Sequence, residues 1–345
     1  MKLTVLGSGC PSVSTKRYGP SALFDAGPGS RILVDCGSGV TQRLVEHGIP
    51  GKDIDGLLLT HLHSDHVIDL FQLILSSWHQ GRERAQKVYG PPGTRRHVEE
   101  LIKFWQPEIE QRILHERRSS KAALDVEVEE IVSGSVIGFG KFGVEAVSVR
   151  HQPVKEALGF IFRCGSQSAA VSGDTRYCPE LIQASRGVDV LLHEVFIHGA
   201  MKPGGIRTQE TIRNVASYHT LDSEVGRVAS EAGVKCLMLT HFAPPDFDRS
   251  ALLETVGNDF SGPTVISEDL MTEGGDYTGQ HVTAKSYGDC EAQAKQFTLE
   301  SDNGDLNHTF VTACYNEERT KVIGTVSCHN NKENPQELRA RLTLV

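Results

Sequence analysis

Five short apolar runs each end in a side chain able to bind a metal ion, and this repetition constrains the fold more than anything else in the sequence. Leu57-Leu58-Leu59-Thr60 precedes His61. Val147-Ser148-Val149-Arg150 precedes His151. Ala169-Ala170-Val171-Ser172-Gly173 precedes Asp174. Val190-Leu191-Leu192 precedes His193, and Leu237-Met238-Leu239-Thr240 precedes His241. Apolar runs of this length read as buried strands. Side chains at strand ends are held rigidly by the sheet, and crevices in layered α/β folds open there. Each of these histidines taken singly reads more readily as structural; the repeated placement reverses that reading.

The first run leads into the densest cluster, His61-Leu62-His63-Ser64-Asp65-His66. Two imidazoles two residues apart, followed by an Asp-His pair at a helix start, can converge from one turn. Imidazole and carboxylate suit zinc, and also iron or manganese. Ordinary polar loops do not reach this ligand density.

The rest of the chain supports a mixed α/β reading. Residues 3–6, 21–24, 31–34 and 54–60 read as strands, with a helix over 40–47 stopped by Gly48. Helices are predicted over 69–78 and 94–114, the second with Pro107 as a break point, and over 208–217 and 222–232. The pattern between 126 and 163 is β, including an alternating strand from 142 to 149. Strands and helices succeeding one another in both halves predict an α/β sandwich. Residues 1–270 form the expected main domain. Residues 271–276 read as a loop that opens a small β-rich appendage over 271–345, with strand-like stretches near 281–287, 296–299, 308–315 and 321–327. The amphipathic stretch 71–78 packs either within the monomer or against a second subunit, so a homodimer is one expectation.

Composition narrows the function. The chain has 345 residues, of which 39% are hydrophobic and 23% charged, as in a soluble globular protein. Its net charge of −9 gives no source for a long basic track, so no nucleic-acid partner is expected. A small anionic substrate stays compatible, because bound metals would dominate the local field. Arg82, Arg84, Arg95, Arg96, Arg117 and Arg118 form a locally basic stretch that reads as solvated helix surface. Eight cysteines without a CxxC pair suggest reduced thiols and a cytoplasmic location. Lys2-Leu3-Thr4-Val5-Leu6-Gly7 reads as a strand rather than a signal peptide, and no apolar run approaches the roughly 18 residues of a membrane span.

The order HxHxDH, then His, Asp and His, resembles the metallo-β-lactamase superfamily. Leu6-Gly7-Ser8-Gly9 and Val34-Asp35-Cys36-Gly37 resemble its early strand-and-turn motifs. The resemblance covers roughly residues 1 to 270 and is nearest to the ribonuclease Z-like branch, which includes ribonuclease Z, small cyclic phosphodiesterases and a type of arylsulfatase. That branch frames its site with His-Glu-Ala-Thr and His-Ser-Thr motifs. Here His193-Glu194-Val195-Phe196 and His219-Thr220-Leu221 match in their leading residues only, so His193, Glu194 and His219 carry over.

The resemblance implies an αββα sandwich holding two divalent ions, with zinc first and manganese or iron as alternatives. One ion would sit at His61, His63 and His151, the other at Asp65, His66 and His241, with Asp174 between them. Two ions about 3.5–4 Å apart can acidify a shared water to give hydroxide near neutral pH. Each ligating imidazole needs an acceptor for its other nitrogen, and Asp35 is one candidate. Asp65, His193, Glu194 and His219 are the expected catalytic residues. His219 precedes a helix capped by Thr220 or Asp222, where it could bind an anionic group or protonate a leaving group, oriented by Glu194.

The expected function is hydrolysis of a small phosphodiester, cyclic phosphodiester or sulfate ester. A lactonase on the same centre is an alternative resting on analogy of fold. A transfer-RNA 3′-end endonuclease is less favoured. Ribonuclease Z carries a protruding arm between the third metal histidine and the bridging aspartate, and only 22 residues separate His151 from Asp174. A binding protein that has lost the chemistry is disfavoured, since every ligand position is filled.

Overall fold

The computed structural model describes residues 1–274 and the backbone of four later strands. Two seven-stranded sheets face each other. The first contains β1 (Lys2–Gly7), β2 (Ser21–Asp25), β3 (Arg31–Val34), β4 (Gly56–Leu58), β5 (Gln86–Gly90) and β6 (Val126–Glu130). The second contains β7 (Val136–Phe139), β8 (Phe142–Ser148), β9 (Leu158–Cys164), β10 (Gln167–Val171), β11 (Val190–Phe196), β12 (Cys236–Ala243) and β13 (Thr264–Ile266). Met271–Gly274 forms β14, which pairs antiparallel with β1 and closes the edge of the first sheet, so the loop expected over 271–276 begins as a strand. A separate four-stranded sheet comprises β15 (Val282–Thr283), β16 (Phe310–Tyr315), β17 (Val322–Asn330) and β18 (Leu338–Leu344). The stretch expected over 296–299 lies outside the described residues, and β18 was not anticipated.

Strand periodicity explains why these segments are apolar throughout. Successive side chains point to opposite faces, and both faces here are covered. Along β3, Ile32 and Val34 join the core between the sheets, whereas Leu33 faces a helix layer. Along β12, Cys236 and Met238 face the inter-sheet core, whereas Leu237 and Leu239 face the opposite helix layer. Phe24 of β2 stacks on Phe162 of β9 across the seam, with ring centroids 3.7 Å apart. The first helix layer holds α1 (Val40–Glu46), α2 (Ser64–Val67), α3 (Leu70–His79) and α4 (Thr94–Glu116); the second holds α5 (Pro179–Ala184), α6 (Gln209–Ala216), α7 (Asp222–Ala232) and α8 (Arg249–Gly257). The αββα sandwich expected from the sequence is the observed architecture.

Three local expectations change. Helix α4 runs through Pro107 without a break. Proline removes one donor to the carbonyl of residue 103, but both residues are exposed, so water can replace it. The stretch 71–78 packs largely inside the monomer: Leu73, Ile74 and Trp78 are buried and Phe71 stacks on Trp105. Arg82 is a buried brace rather than solvated surface. Its guanidinium donates to the carbonyls of Lys52, Ile54, Arg84 and Ala85, which satisfies the charge-bearing group with backbone dipoles. Cys10, Cys36, Cys164 and Cys178 are free thiols. Among the described residues no helix is long and apolar enough to cross a membrane.

Candidate metal centre

The loop after β4 delivers His61 and His63, and helix α2 begins one residue later with Asp65 and His66 on it. A short turn after β8 brings His151. Gly173, at φ 58, follows β10 and lets the chain turn where a Cβ would lie 2.7 Å from the Leu158 carbonyl; Asp174 comes next. His241 arrives by a different device. Residue pairing between β11 and β12 runs Glu194 to Thr240 and then Val195 to Phe242, so His241 is the extra residue of a β-bulge. Its φ of 49 is left-handed. Bulges re-aim side chains, and backbone strain of about 1–3 kcal/mol at such a residue needs a local return.

The seven side chains converge. Ligand-capable atoms of His61, His63, His151 and Asp174 lie within 4.8 Å of one another, as do those of Asp65, His66 and His241. Asp174 Oδ2 is 3.9 Å from His61 Nε2 and 3.8 Å from His151 Nε2 in the first group. The same carboxylate reaches His66 Nε2 at 3.4 Å and His241 Nε2 at 3.4 Å in the second. Asp65 Oδ2 is 3.3 Å from His241 Nε2 and 3.6 Å from His66 Nε2. His151 Nε2 and His63 Nδ1 face each other at 3.2 Å.

Unsatisfied atoms test whether these groups suit cations. His61 Nε2, His66 Nε2 and Asp174 Oδ1 are buried without a hydrogen-bond partner. Buried polar atoms are rarely left so, and here they point at one another. The opposite nitrogens are occupied instead. His66 Nδ1 donates to Asp35 at 2.8 Å, His61 Nδ1 contacts Thr60 Oγ1 at 3.0 Å, and His151 Nδ1 donates to the Tyr218 carbonyl at 3.0 Å. Holding the outer nitrogen protonated leaves the inner lone pair free for a metal. The cluster therefore fits a dinuclear site built from nitrogen and carboxylate ligands. Asp35 is the orienter the sequence suggested. Thr60 and the Tyr218 backbone were not identified.

Protons substitute for the positive charge. Burial alone would lower His66, but Asp174 and Asp35 outweigh it and raise the ring well above its ordinary value. Burial opposes ionisation of Asp174, yet His241 and His66 hold it well below the carboxylate range. Burial, reinforced by His66, lowers His61 well below its ordinary value. Cations entering this cluster would displace protons from it.

His219 lies beside the same centre. It precedes α7, whose N-cap is Leu221 rather than Thr220 or Asp222. Its Nδ1 donates to Glu194 Oε1 at 2.8 Å, and that oxygen also accepts from Thr175 N at 2.9 Å. Burial would depress His219, but the Glu194 carboxylate and its hydrogen bond raise it to about 9. A ligand-capable atom of His219 lies within 4.8 Å of those of Asp174 and His241. His193 is not in any of these groups. Alternation along β11 turns it away from the face that Glu194 occupies, and its Nδ1 bonds the Glu194 carbonyl at 2.7 Å.

Comparison with known proteins agrees with this geometry. The family described as anti-Pycsar protein Apyc1 matches residues 1–210. A ribonuclease Z of Mycolicibacterium gilvum is 34% identical over 247 residues, spanning 71% of this chain and 85% of that protein. The metallo-β-lactamase fold protein YhfI of Bacillus subtilis superposes with a TM-score of 0.62 at 23% identity, over 79% of this chain and 99% of that one. Human tRNase Z, short form, gives a TM-score of 0.60 at 18% identity, over 79% and 99%. Fold, cluster and relatives define a metal-dependent hydrolase. The chain belongs to the metallo-β-lactamase superfamily, in its ribonuclease Z-like branch, and to the family described as anti-Pycsar protein Apyc1.

Proposed function

We propose that this protein hydrolyses a small phosphodiester, cyclic phosphodiesters included. The carrying observation is the buried His219–Glu194 pair, which sets a cationic donor beside Asp174. Such a donor complements an anionic ester better than a neutral lactone. His61, His63 and His151 would hold one divalent ion, and Asp65, His66 and His241 the other, with Asp174 shared. Zinc heads the candidates, ahead of manganese and iron. When bound, the ions would acidify a water and absorb charge on the ester oxygens. His219 would hold its proton at Nε2, since Nδ1 is committed to Glu194, and deliver it to the leaving oxygen as the P–O bond breaks. Asp65 would take up the proton released by the attacking water. The free buried thiols of Cys10, Cys36 and Cys178 suit a cytoplasmic location.

The ribonuclease Z relatives support a second reading, cleavage at the 3′ end of transfer RNA. Against it, most of residues 152–173 form the β9–β10 hairpin (Leu158–Val171), and Gln167 already pairs with Cys164. No arm extends there, and the net charge of −9 supplies no basic track. A homodimer is also proposed. Ile68 is 62% and Phe104 75% exposed, and light scattering at the monomer mass would remove it.

The decisive assay loads the protein with zinc or manganese and counts metal per chain. A chromogenic phosphodiester, a sulfate monoester, a lactone and a precursor transfer RNA are then compared, with Asp65→Ala as control. Metal-dependent diester turnover supports the proposal. Exclusive cleavage of the lactone, the sulfate or the RNA would overturn it.

A further inference from the structure

The opening of the centre can be located from exposure. His61, His66, His151, Asp174 and His241 are buried, whereas His63, Asp65 and Tyr218 are only partly so. These three are therefore the side chains beside the cluster that solvent reaches. Two of them belong to the metal groups; Tyr218 does not.

Tyr218 is placed with some care. Its carbonyl fixes His151 at 3.0 Å. Its ring meets the His151 ring edge-on, with centroids 5.0 Å apart, and lies 4.9 Å from the His219 ring. The His151 and His219 rings are themselves 5.1 Å apart, so the three rings pack against one another. The Tyr218 hydroxyl forms no hydrogen bond among the described residues, although the backbone of the same residue is fully engaged. The phenol is thus a donor without an acceptor among the described residues, set beside the His151 and His219 rings.

We propose that Tyr218 contacts the substrate directly, its hydroxyl donating a hydrogen bond to an oxygen of the bound phosphate ester while its ring walls the entrance. This assignment rests on the phosphodiesterase reading. Together with His219 it makes a pair of adjacent donors, one charged and one neutral. Two donors fixed on consecutive residues can orient a tetrahedral phosphoryl group that a single histidine would leave free to rotate. The ring packing and the carbonyl contact serve His151; the hydroxyl serves the ligand. The two roles separate by substitution.

Tyr218→Phe keeps the ring and carbonyl and removes only the hydroxyl. The test uses the zinc-loaded full chain and inorganic phosphate as the probe. Calorimetry measures phosphate affinity, and metal per chain, melting temperature and diester kinetics are measured on the same samples. A donor to a charged oxygen is worth about a tenfold to hundredfold effect. The expected variant binds phosphate at least about tenfold more weakly and loses a similar factor in kcat/KM. Its metal content and melting temperature stay those of the parent. Tyr218→Ala should also weaken metal retention, because His151 then loses its packing partner. Unchanged phosphate affinity in Tyr218→Phe overturns the assignment, and diester turnover by the parent then leaves the phosphodiesterase reading standing. A parent that binds phosphate but hydrolyses no diester overturns that reading, and a weakened variant still supports Tyr218. A parent that binds no phosphate overturns the Tyr218 assignment, and diester turnover alone then decides the phosphodiesterase reading.

Discussion

Replacing Asp35 by asparagine should weaken one metal ion far more than the other, and the hydrogen bonds say which. Asp35 is buried and accepts from Thr60 N at 2.8 Å, from Thr60 Oγ1 at 2.9 Å and from His66 Nδ1 at 2.8 Å. Asparagine keeps the shape and tolerates the φ of 59 at this position, so backbone strain is unchanged. It offers one acceptor oxygen where the carboxylate offers two. With that oxygen turned to Thr60, the amide NH2 faces His66 Nδ1 and demands a lone pair there. The His66 proton then moves to Nε2, the atom that would bind the ion with Asp65 and His241. Turned the other way, the NH2 opposes the Thr60 amide. Loss of such an orienting partner typically costs about 10- to 100-fold in metal affinity, or about 1.4–2.7 kcal/mol.

Thr60→Val is the complement. The hydroxyl has one proton, which it gives to Asp35, so it accepts from His61 Nδ1 at 3.0 Å. Valine removes that acceptor while the Thr60 amide contact to Asp35 survives. This variant should weaken the ion at His61, His63 and His151. Competition against a chromophoric chelator resolves the two binding constants. The tautomer argument fails if Asp35→Asn binds both ions like the parent, or if both variants weaken the same ion.

Three further outcomes are expected. Asp65→Ala and Asp174→Ala should each abolish hydrolysis and the second ion, seen by metal analysis; retention of two ions by either would disprove its ligand role. His219→Ala should lower kcat by about 10²- to 10⁴-fold with metal content intact, and metal loss would instead make His219 a ligand. The His219–Glu194 pair should also shape the pH dependence of the metal-free protein. Burial opposes protonation of His219, but Glu194 raises the folded value to about 9, above the ordinary 6.5. The stabilisation is therefore complete below about pH 6.5 and fades as pH rises through about 9. Glu194→Gln should cost more thermal stability at pH 6 than at pH 10 in chelator, and an equal cost at both would refute the coupling.

The parts legible in the sequence were those encoded locally. The run from His61 to His66 needs only one turn to converge, and apolar runs before His151, Asp174 and His241 mark strands whatever their partners. The bulge at His241 left no mark, because an extra residue exists only relative to the pairing of β11 with β12. Tyr218 acts on His151 through a carbonyl, which every residue type possesses. His193 was readable, and the structure puts it outside the metal-competent groups. Adjacent strand residues face opposite ways, so Glu194 rather than His193 meets His219. Arg82 misled because a guanidinium sunk among carbonyls has the same letter as one in water. The strand Met271–Gly274 has no apolar alternation of its own and is defined by the free edge of β1.

The origin of the ligands has a consequence for how the chain matures. His61, His63, Asp65 and His66 follow a strand of the first sheet, whereas His151, Asp174 and His241 come from the second. Neither half owns a complete coordination set. An ion bound here rivets the two sheets, and by mass action it favours the joined state by about 4 kcal/mol when free metal exceeds the dissociation constant a thousandfold. A molecule whose halves have closed out of register keeps its hydrophobic seam but cannot retain the rivets. Metal retention would thus report whether the two halves have met in register.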